Sequence, residues 1–150
     1  MTYHSTKTYG HEIGLSCAFR QWRAQSHCQL IHGYALSFKF TFEAEELDEK
    51  NWVADFGNFK ELKSQLENIF DHTLVIAYDD PKGAILATLG TIEGLARVVR
   101  MDEVGCEAFA ELAYSIASDL IERTYGCRVQ VVSCECAEHG ANSAIYIREK

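Results

Sequence analysis

The alternation that decides the fold runs from Tyr34 to Glu43 and reads YALSFKFTFE. Because neighbouring side chains of a β-strand point to opposite faces, this stretch has one apolar face and one more polar face. The apolar face comprises Leu36, Phe38, Phe40 and Phe42, and the opposite face comprises Ala35, Ser37, Lys39 and Thr41. The pattern predicts a strand with a hydrophobic core on one side.

Two helices are predicted downstream of this strand. Asn58 can cap the first, whose apolar stripe has helical spacing. The second is the longest predicted element, spans about residues 105–125 and can end at Gly126. The stripe of the first helix comprises Phe59, Leu62, Leu66, Ile69 and Phe70, and that of the second comprises Phe109, Leu112, Ala113, Ile116, Ala117, Leu120 and Ile121.

Three further strands complete the prediction, over residues 7–19, 127–136 and 143–148. Residues 84–103 give no clear pattern. The resulting order is ββααββ, in which strands and helices segregate, so the expected class is α+β with a mostly antiparallel sheet. We expect four strands with both helices on one face, in a single domain over residues 1–150.

Composition excludes several classes of protein. The net charge of -8 argues against general nucleic-acid binding, which needs a basic face. The N-terminus has no apolar signal core, and no apolar run approaches the roughly 20 residues that span a bilayer. We therefore expect a cytoplasmic protein, with its six cysteines as reduced thiols.

The most reactive-looking segment contains Cys28 and His32, four residues apart. A thiol is nucleophilic as a thiolate, which nearby imidazoles and guanidinium groups favour. Arg20, Arg23 and His27 are close in sequence, and no acidic residue occurs from residue 13 to residue 42. The segment could hold an anion beside a reactive sulfur, although a packed, unreactive Cys28 explains the pattern equally well.

Other candidate residues are isolated in the sequence. Asp71 could orient His72 as a proton shuttle, or simply cap a turn. Glu135, on the opposite face of its strand from Cys134 and Cys136, could accept two N–H bonds from a pterin or guanine ring edge, or be an exposed glutamate. Glu107 lies at a helix start, where its carboxylate interacts favourably with the positive end of the helix dipole whether or not it has a further role.

The sequence resembles the 6-pyruvoyl-tetrahydropterin synthase family, and within it the bacterial 6-carboxytetrahydropterin synthases. The residues that carry the resemblance are Cys28-Gln29-Leu30-Ile31-His32-Gly33-Tyr34, Asp55-Phe56, Asp71-His72, Val104-Gly105-Cys106-Glu107 and Val132-Ser133-Cys134-Glu135. The motifs follow the family order over nearly the whole chain, apart from an apparent insertion around residues 80–103. The spacing of Cys28 and His32 favours the carboxy branch over relatives that use a glutamate in place of the cysteine.

The resemblance implies a tunnelling fold, trimers stacked into hexamers, and active sites between subunits. The implied substrate is 7,8-dihydroneopterin triphosphate, whose carboxy product leads towards 7-deazaguanine nucleosides such as queuosine. Cys28 would be the catalytic thiolate, with Asp71 and His72 completing the acid/base set. Glu135 would bind the pterin ring and Glu107 would help to build the pocket. From their charge, Arg20, Arg23 and His27 could meet the triphosphate.

The resemblance also implies a zinc ion held by three histidines, of which this sequence keeps one. His32 is retained, whereas the other two positions are occupied by Phe19 and Tyr34. One histidine does not hold zinc firmly, so zinc loss is favoured over retention. A rearranged set of His27, Cys28 and His32 stays open, as does, with less support, the spacing Cys134-x-Cys136-x-x-His139.

Three functions are compatible with these features. The first is a pterin-forming lyase of the carboxy branch with a weakened or replaced metal. The second is an enzyme of the same fold with a changed pterin or purine substrate or a changed reaction. The third is a non-catalytic oligomer that binds a pterin or purine through Glu135.

Overall fold

The long strand β3 lies at the centre of the computed structural model, which describes residues 1–150. Seven strands form one mixed sheet, and three α-helices pack on it. The strands are β1 (Tyr3–Tyr9), β2 (Leu15–Phe19), β3 (His32–Ala44), β4 (Thr73–Ala77), β5 (Arg97–Met101), β6 (Gln130–His139) and β7 (Asn142–Ile147). The helices are α1 (Lys60–Phe70), α2 (Gly83–Thr91) and α3 (Cys106–Tyr125). None of them is long and apolar enough to cross a membrane.

The alternation in β3 buries its apolar face as predicted. Leu36, Phe38, Phe40 and Phe42 are fully buried, and they join one core of 29 residues with the apolar stripes of α1 and α3. Burying a large apolar side chain contributes roughly 1.5–3 kcal/mol, so this face supplies much of the stability of the fold. The predicted long helix is confirmed almost to the residue. The predicted cap of α1 at Asn58 is wrong, because the Asp55 side chain instead caps the short 3-10 turn that precedes α1.

The predicted first strand is two strands in series. β1 and β2 both pair antiparallel with one edge of β3, with Tyr9 opposite Phe38 and Leu15 opposite Leu36. The residues between them loop out, and Gly14 adopts a φ of 77° that a side chain would disfavour. The glycine-flanked loop explains why the alternation over residues 7–19 is imperfect.

The α+β class is confirmed, but the expected four-stranded antiparallel sheet with two helices is too small. The sheet order is β5-β4-β2-β3-β6-β7, with β1 also on β3, and both β4 and β5 run parallel to β2. All five residues of β4 are buried, because α2 covers the face opposite the main core. On that face the Gly83 position of α2 lies against the Ile76 side chain. A strand covered on both faces reads as a continuous apolar run rather than an alternation.

Candidate active site

The Cys28 turn connects β2 to β3 and is held from three directions. The Cys28 backbone N–H donates to the Ser26 hydroxyl over 3.3 Å, and the Gln21 N–H donates to the Cys28 carbonyl over 2.9 Å. The Arg20 guanidinium donates to the Gln29 carbonyl over 3.1 Å. Cys28 itself is half-buried and carries a free thiol. The turn therefore presents a fixed but accessible sulfur.

His32 begins β3 directly opposite Phe19. Its Nδ1 lies 2.7 Å from the Leu30 carbonyl. A carbonyl only accepts hydrogen bonds, so Nδ1 carries the proton and Nε2 of the neutral ring keeps its lone pair. The next residue must be glycine, because a Cβ at Gly33 would lie 2.7 Å from the Cys17 carbonyl oxygen of β2.

Five rings form an aromatic cluster beside the Cys28 turn: Phe19, His32, Tyr34, Phe109 and His139. The ring centres of Phe19 and His32 are 5.2 Å apart, and those of His32 and Tyr34 are 5.5 Å apart. Phe109 packs edge-on against Phe19 at 5.1 Å, and His139 lies 5.9 Å from Tyr34. These are favourable separations for aromatic pairs, so the cluster is a packed unit.

The Tyr34 hydroxyl is the polar end of this cluster. Burial raises the pKa of Tyr34, and the negative charge of the nearby Glu138 carboxylate raises it further. The thiols of Cys28 and Cys106 are near enough to act in the same direction. The Tyr34 phenol thus lies near the Glu138 carboxylate and the Cys28 thiol.

The residues at the implied metal position do not fit a zinc ion. Of the three side chains at this position, Phe19 has no donor atom and Tyr34 offers only a phenol, which leaves His32 as the single nitrogen donor. No three His, Cys, Asp or Glu side chains in the chain converge closely enough to hold a metal. The alternative set of His27, Cys28 and His32 is therefore not assembled. Nor is the Cys134-Cys136-His139 set, in which both cysteines are fully buried and the histidine is exposed.

Arg20 has a different position from the one its charge suggested. Its Nε and Nη2 donate to the buried Asp80 carboxylate over 2.7 and 2.8 Å, and the remaining Nη1 holds the Cys28 turn. The Arg20 hydrogen bonds hold the pKa of Asp80 below its usual range. Arg20 is a positioning residue here, and its contact with a triphosphate stays a prediction. Arg23 forms an exposed pair with Asp79, so a phosphate contact by Arg23 or by the exposed His27 stays a prediction.

Asp71 and His72 form a second site at the end of α1. His72 Nδ1 lies 2.5 Å from the Asp71 carboxylate, and 84% of the His72 side chain is exposed. His72 also adopts a φ of 55°, a strained conformation for a residue other than glycine. Arg97 from β5 donates to the last carbonyls of α1 and to the Asp71 carbonyl, which fixes this turn. The pair can orient an imidazole with Nε2 facing solvent.

The two sites lie beside different parts of the segment that contains β2. Cys17 pairs with Thr73, which follows His72, whereas the Cys28 carbonyl is bound by Gln21. The four residues from Cys17 to Gln21 span about 13 Å at the rise of a β-strand. Cys28 and His72 of one chain therefore do not meet.

Glu135 lies on the face of the sheet that points away from α1 and α3. It pairs in register with Lys39, and its carboxylate accepts a hydrogen bond from the Ser143 hydroxyl over 2.7 Å. Cys134 and Cys136 are fully buried on the other face, as the alternation predicted. The Glu135 carboxylate is thus accessible on a more polar surface.

Glu135 and Glu107 lie on different elements, β6 and α3. Glu107 is exposed in the first turn of α3, beside Cys106 on the Cys28 side of the molecule. Lys39, the partner of Glu135, is seven residues along β3 from His32, or about 23 Å of strand. Cys28, the Asp71–His72 pair and Glu135 thus lie at three different places on the fold.

An aromatic cavity of about 340 Å³ is a feature that the sequence reasoning missed. Its lining includes Tyr3, Trp52 and Phe56, whose side chains are partly exposed around the opening. Cavities of this size with aromatic walls suit flat heterocycles. The cluster NWVADF, in which two large aromatics flank a turn, is the signal that could have indicated it.

Comparison with known proteins identifies the family. The family model described as 6-pyruvoyl tetrahydropterin synthase matches residues 10–149. The chain belongs to the 6-pyruvoyl tetrahydropterin synthase family.

Solved structures agree on the fold of this 6-pyruvoyl tetrahydropterin synthase family member. An uncharacterized protein of Wolinella succinogenes has a TM-score of 0.84 at 19% identity, with 99% of each chain covered. The 6-pyruvoyltetrahydropterin synthase of Plasmodium vivax, as a catalytic-residue mutant, has a TM-score of 0.70 at 11% identity, covering 100% of this chain and 99% of that one. The Caenorhabditis elegans 6-pyruvoyl tetrahydropterin synthase has a TM-score of 0.58 at 14% identity, covering 99% and 96%. No curated protein matches the chain significantly.

Proposed function

We propose that this chain is a lyase of the 6-carboxytetrahydropterin synthase type. Its substrate would be 7,8-dihydroneopterin triphosphate, and its product, 6-carboxy-5,6,7,8-tetrahydropterin, would enter the route to 7-deazaguanine nucleosides such as queuosine. Family membership supports a pterin-synthase-like function. The position of Cys28 carries the narrower proposal, because its turn is fixed by three hydrogen bonds while the thiol stays accessible.

The separation of Cys28 from Asp71 and His72 supports an active site between subunits. In this proposal, one subunit contributes the Cys28 thiolate and a neighbour contributes His72, oriented by Asp71, as the proton-transfer partner. Glu135 binds the edge of the pterin ring from the solvent-accessible face of the sheet. Glu107, in the first turn of α3, helps to build the pocket. The assembly would be a homo-oligomer, a trimer or a hexamer.

The role of Glu135 predicts a specific binding defect. Glu135→Gln replaces one acceptor oxygen by an amide donor, which opposes the N–H groups of a pterin edge. We expect the dissociation constant for a pterin ligand to rise by roughly tenfold to a hundredfold, the usual effect of losing a hydrogen bond to a charged group. Isothermal titration calorimetry measures it, and unchanged affinity would remove Glu135 from the site. Glu122→Gln, at an exposed position on α3, is the matched control.

The direct test of the function is product analysis by mass spectrometry. The purified protein is incubated with 7,8-dihydroneopterin triphosphate, with and without added zinc. Formation of 6-carboxy-tetrahydropterin supports the proposal. Recovery of unchanged substrate under both conditions contradicts it.

A second candidate is an enzyme of the same fold that acts on a different pterin or purine. The observation that favours it is the absence of metal donors at Phe19 and Tyr34, because the carboxy branch implies zinc chemistry at that position. A different product, or turnover only with another heterocycle, would identify it. A binding-only oligomer would show ligand affinity unaffected by Cys28→Ala and no turnover.

A further inference from the structure

Helix α2 carries an apolar stripe on its outer side. Ile85, Leu89 and Ile92 follow one another at helical spacing and therefore share one side of the helix. Ile85 and Ile92 are 64% and 73% exposed, and Leu95, just beyond the helix, is 76% exposed. The other side of the helix, at Gly90, faces β5. A contiguous exposed apolar patch of this kind marks an interaction surface.

The chemistry of α2 narrows the class of partner. The helix contains no charged residue, and its threonine hydroxyls bond to its own backbone: Thr88 donates to the Ile85 carbonyl over 2.6 Å and Thr91 to the Ala87 carbonyl over 3.2 Å. The stripe thus offers no polar group to a nucleic acid or a charged ligand. The larger cavities have no lining residue from α2, so a small molecule finds no pocket there. These features favour another apolar protein surface.

Two exposed charges flank the stripe in an order that the helix itself disfavours. Lys82 lies three residues before Ile85, and Glu93 lies four residues after Leu89, so both continue the stripe. A helix dipole favours anions at the N-terminus and cations at the C-terminus, and α2 has the reverse. Neither side chain has an ion-pair partner within the chain. An opposite charge on another molecule would explain both positions.

We propose that the α2 stripe binds the α2 stripe of a second copy of this chain in an antiparallel, two-fold arrangement. A two-fold contact uses the same patch on both copies, and the absence of charge within the stripe means that no like charges meet at its centre. In the antiparallel order, Lys82 of each copy lies beside Glu93 of the other. Each charge also faces the favourable end of the opposite helix dipole. A parallel pair would instead place like charges together at both ends.

Sedimentation velocity from micromolar to millimolar concentration tests the contact. This range is needed because a helix of nine residues, about 13 Å long, forms an interface below the standard size. The double variant Ile85→Gln, Ile92→Gln should raise the dissociation constant at least a hundredfold. We therefore expect the native protein to reach twice the mass of this variant at the same concentration, whatever other subunit contacts exist.

The double glutamine variant should remain folded, because both side chains are exposed, and circular dichroism checks this. Ile13→Gln, at another exposed isoleucine, is the matched control and should keep the native mass. Equal masses of the native protein and the double variant at every concentration would overturn the proposal. So would binding of the native protein to phosphatidylcholine vesicles that the double variant loses without any difference in mass. No substrate is involved, so the result is separate from that of the product analysis.

Charge reversal tests the antiparallel order. Lys82→Glu alone and Glu93→Lys alone each place like charges at both ends of the contact, so we expect the dissociation constant to rise about tenfold. An equimolar mixture of the two single variants should regain the native constant, because acidic ends then meet basic ends. The double variant Lys82→Glu, Glu93→Lys should regain it as well. Single variants that associate as tightly as the native protein, or a mixture as weak as its components, would rule out the antiparallel contact.

Discussion

Cys28→Ala should lower turnover by a factor of about a thousand or more, which amounts to loss of measurable activity for an essential nucleophile or proton carrier. The turn should survive the change, because its hydrogen bonds use the Cys28 backbone rather than the thiol. We therefore expect the same circular dichroism spectrum and the same oligomeric mass as the native protein. Pterin affinity should fall far less than turnover.

Cys127→Ala is the matched control for this variant. Cys127 is an exposed free thiol between α3 and β6, in a different part of the chain from the Cys28 turn. Its removal should leave turnover at the native level. Native turnover in Cys28→Ala, with the fold intact, would remove Cys28 from the mechanism.

Arg20→Met should lower the free energy of unfolding by about 3 kcal/mol, because it leaves the buried Asp80 carboxylate without its partner. The Asp80 side chain is only 2% exposed, so water cannot replace the lost guanidinium. The variant should also loosen the Cys28 turn, since the Gln29 carbonyl loses its donor. Urea denaturation measures the change in stability.

Arg23→Met provides the comparison for Arg20→Met. The pair of Arg23 and Asp79 has 66% and 53% of its side chains exposed, and exposed pairs contribute about 0–1 kcal/mol. Equal decreases in the free energy of unfolding of Arg20→Met and Arg23→Met would show that the buried pair contributes no more to stability than the exposed pair.

The same ion pair sets a pH dependence. The folded-state pKa of Asp80 lies below its unfolded value because Arg20 hydrogen-bonds the carboxylate. Its contribution to stability is thus present above the unfolded pKa, near about 4, and is lost as the pH falls through the folded pKa. The stability difference between the native protein and Asp80→Asn should shrink from pH 6 towards about pH 3. Urea titrations at several pH values measure it, and a constant difference would contradict the assignment.

The parts of the fold that the sequence predicts are those with one buried face. β3, α1 and α3 each alternate between core and solvent, and their periodicity is visible in the residues. β4 and α2 lack this signal: β4 is buried on both faces, and α2 is apolar around most of its circumference. Residues 84–103, which include most of α2, therefore give no clear pattern in the sequence.

The candidate site likewise combines residues that are close in sequence with partners that are distant in sequence. Cys28 with His32, and Asp71 with His72, are close in sequence and could be recognised there. The partners that hold them could not, because Arg20 binds Asp80 and Arg97 binds the end of α1 through the register of β2, β4 and β5. The β4–α2–β5 segment therefore holds both groups in place. These contacts depend on the strand pairing, which the sequence alone does not show.

The place of β3 in the sheet also has a consequence for folding. One edge of β3 is covered by β1 and β2, which precede it, but the other edge pairs with β6, roughly 100 residues later in the chain. Such distant pairing slows folding, because a long loop must close before the contact forms. During synthesis, the phenylalanine-rich strand β3 therefore has one unpaired edge until β6 has been synthesised. That edge is the point where a nascent chain would first aggregate or recruit a chaperone.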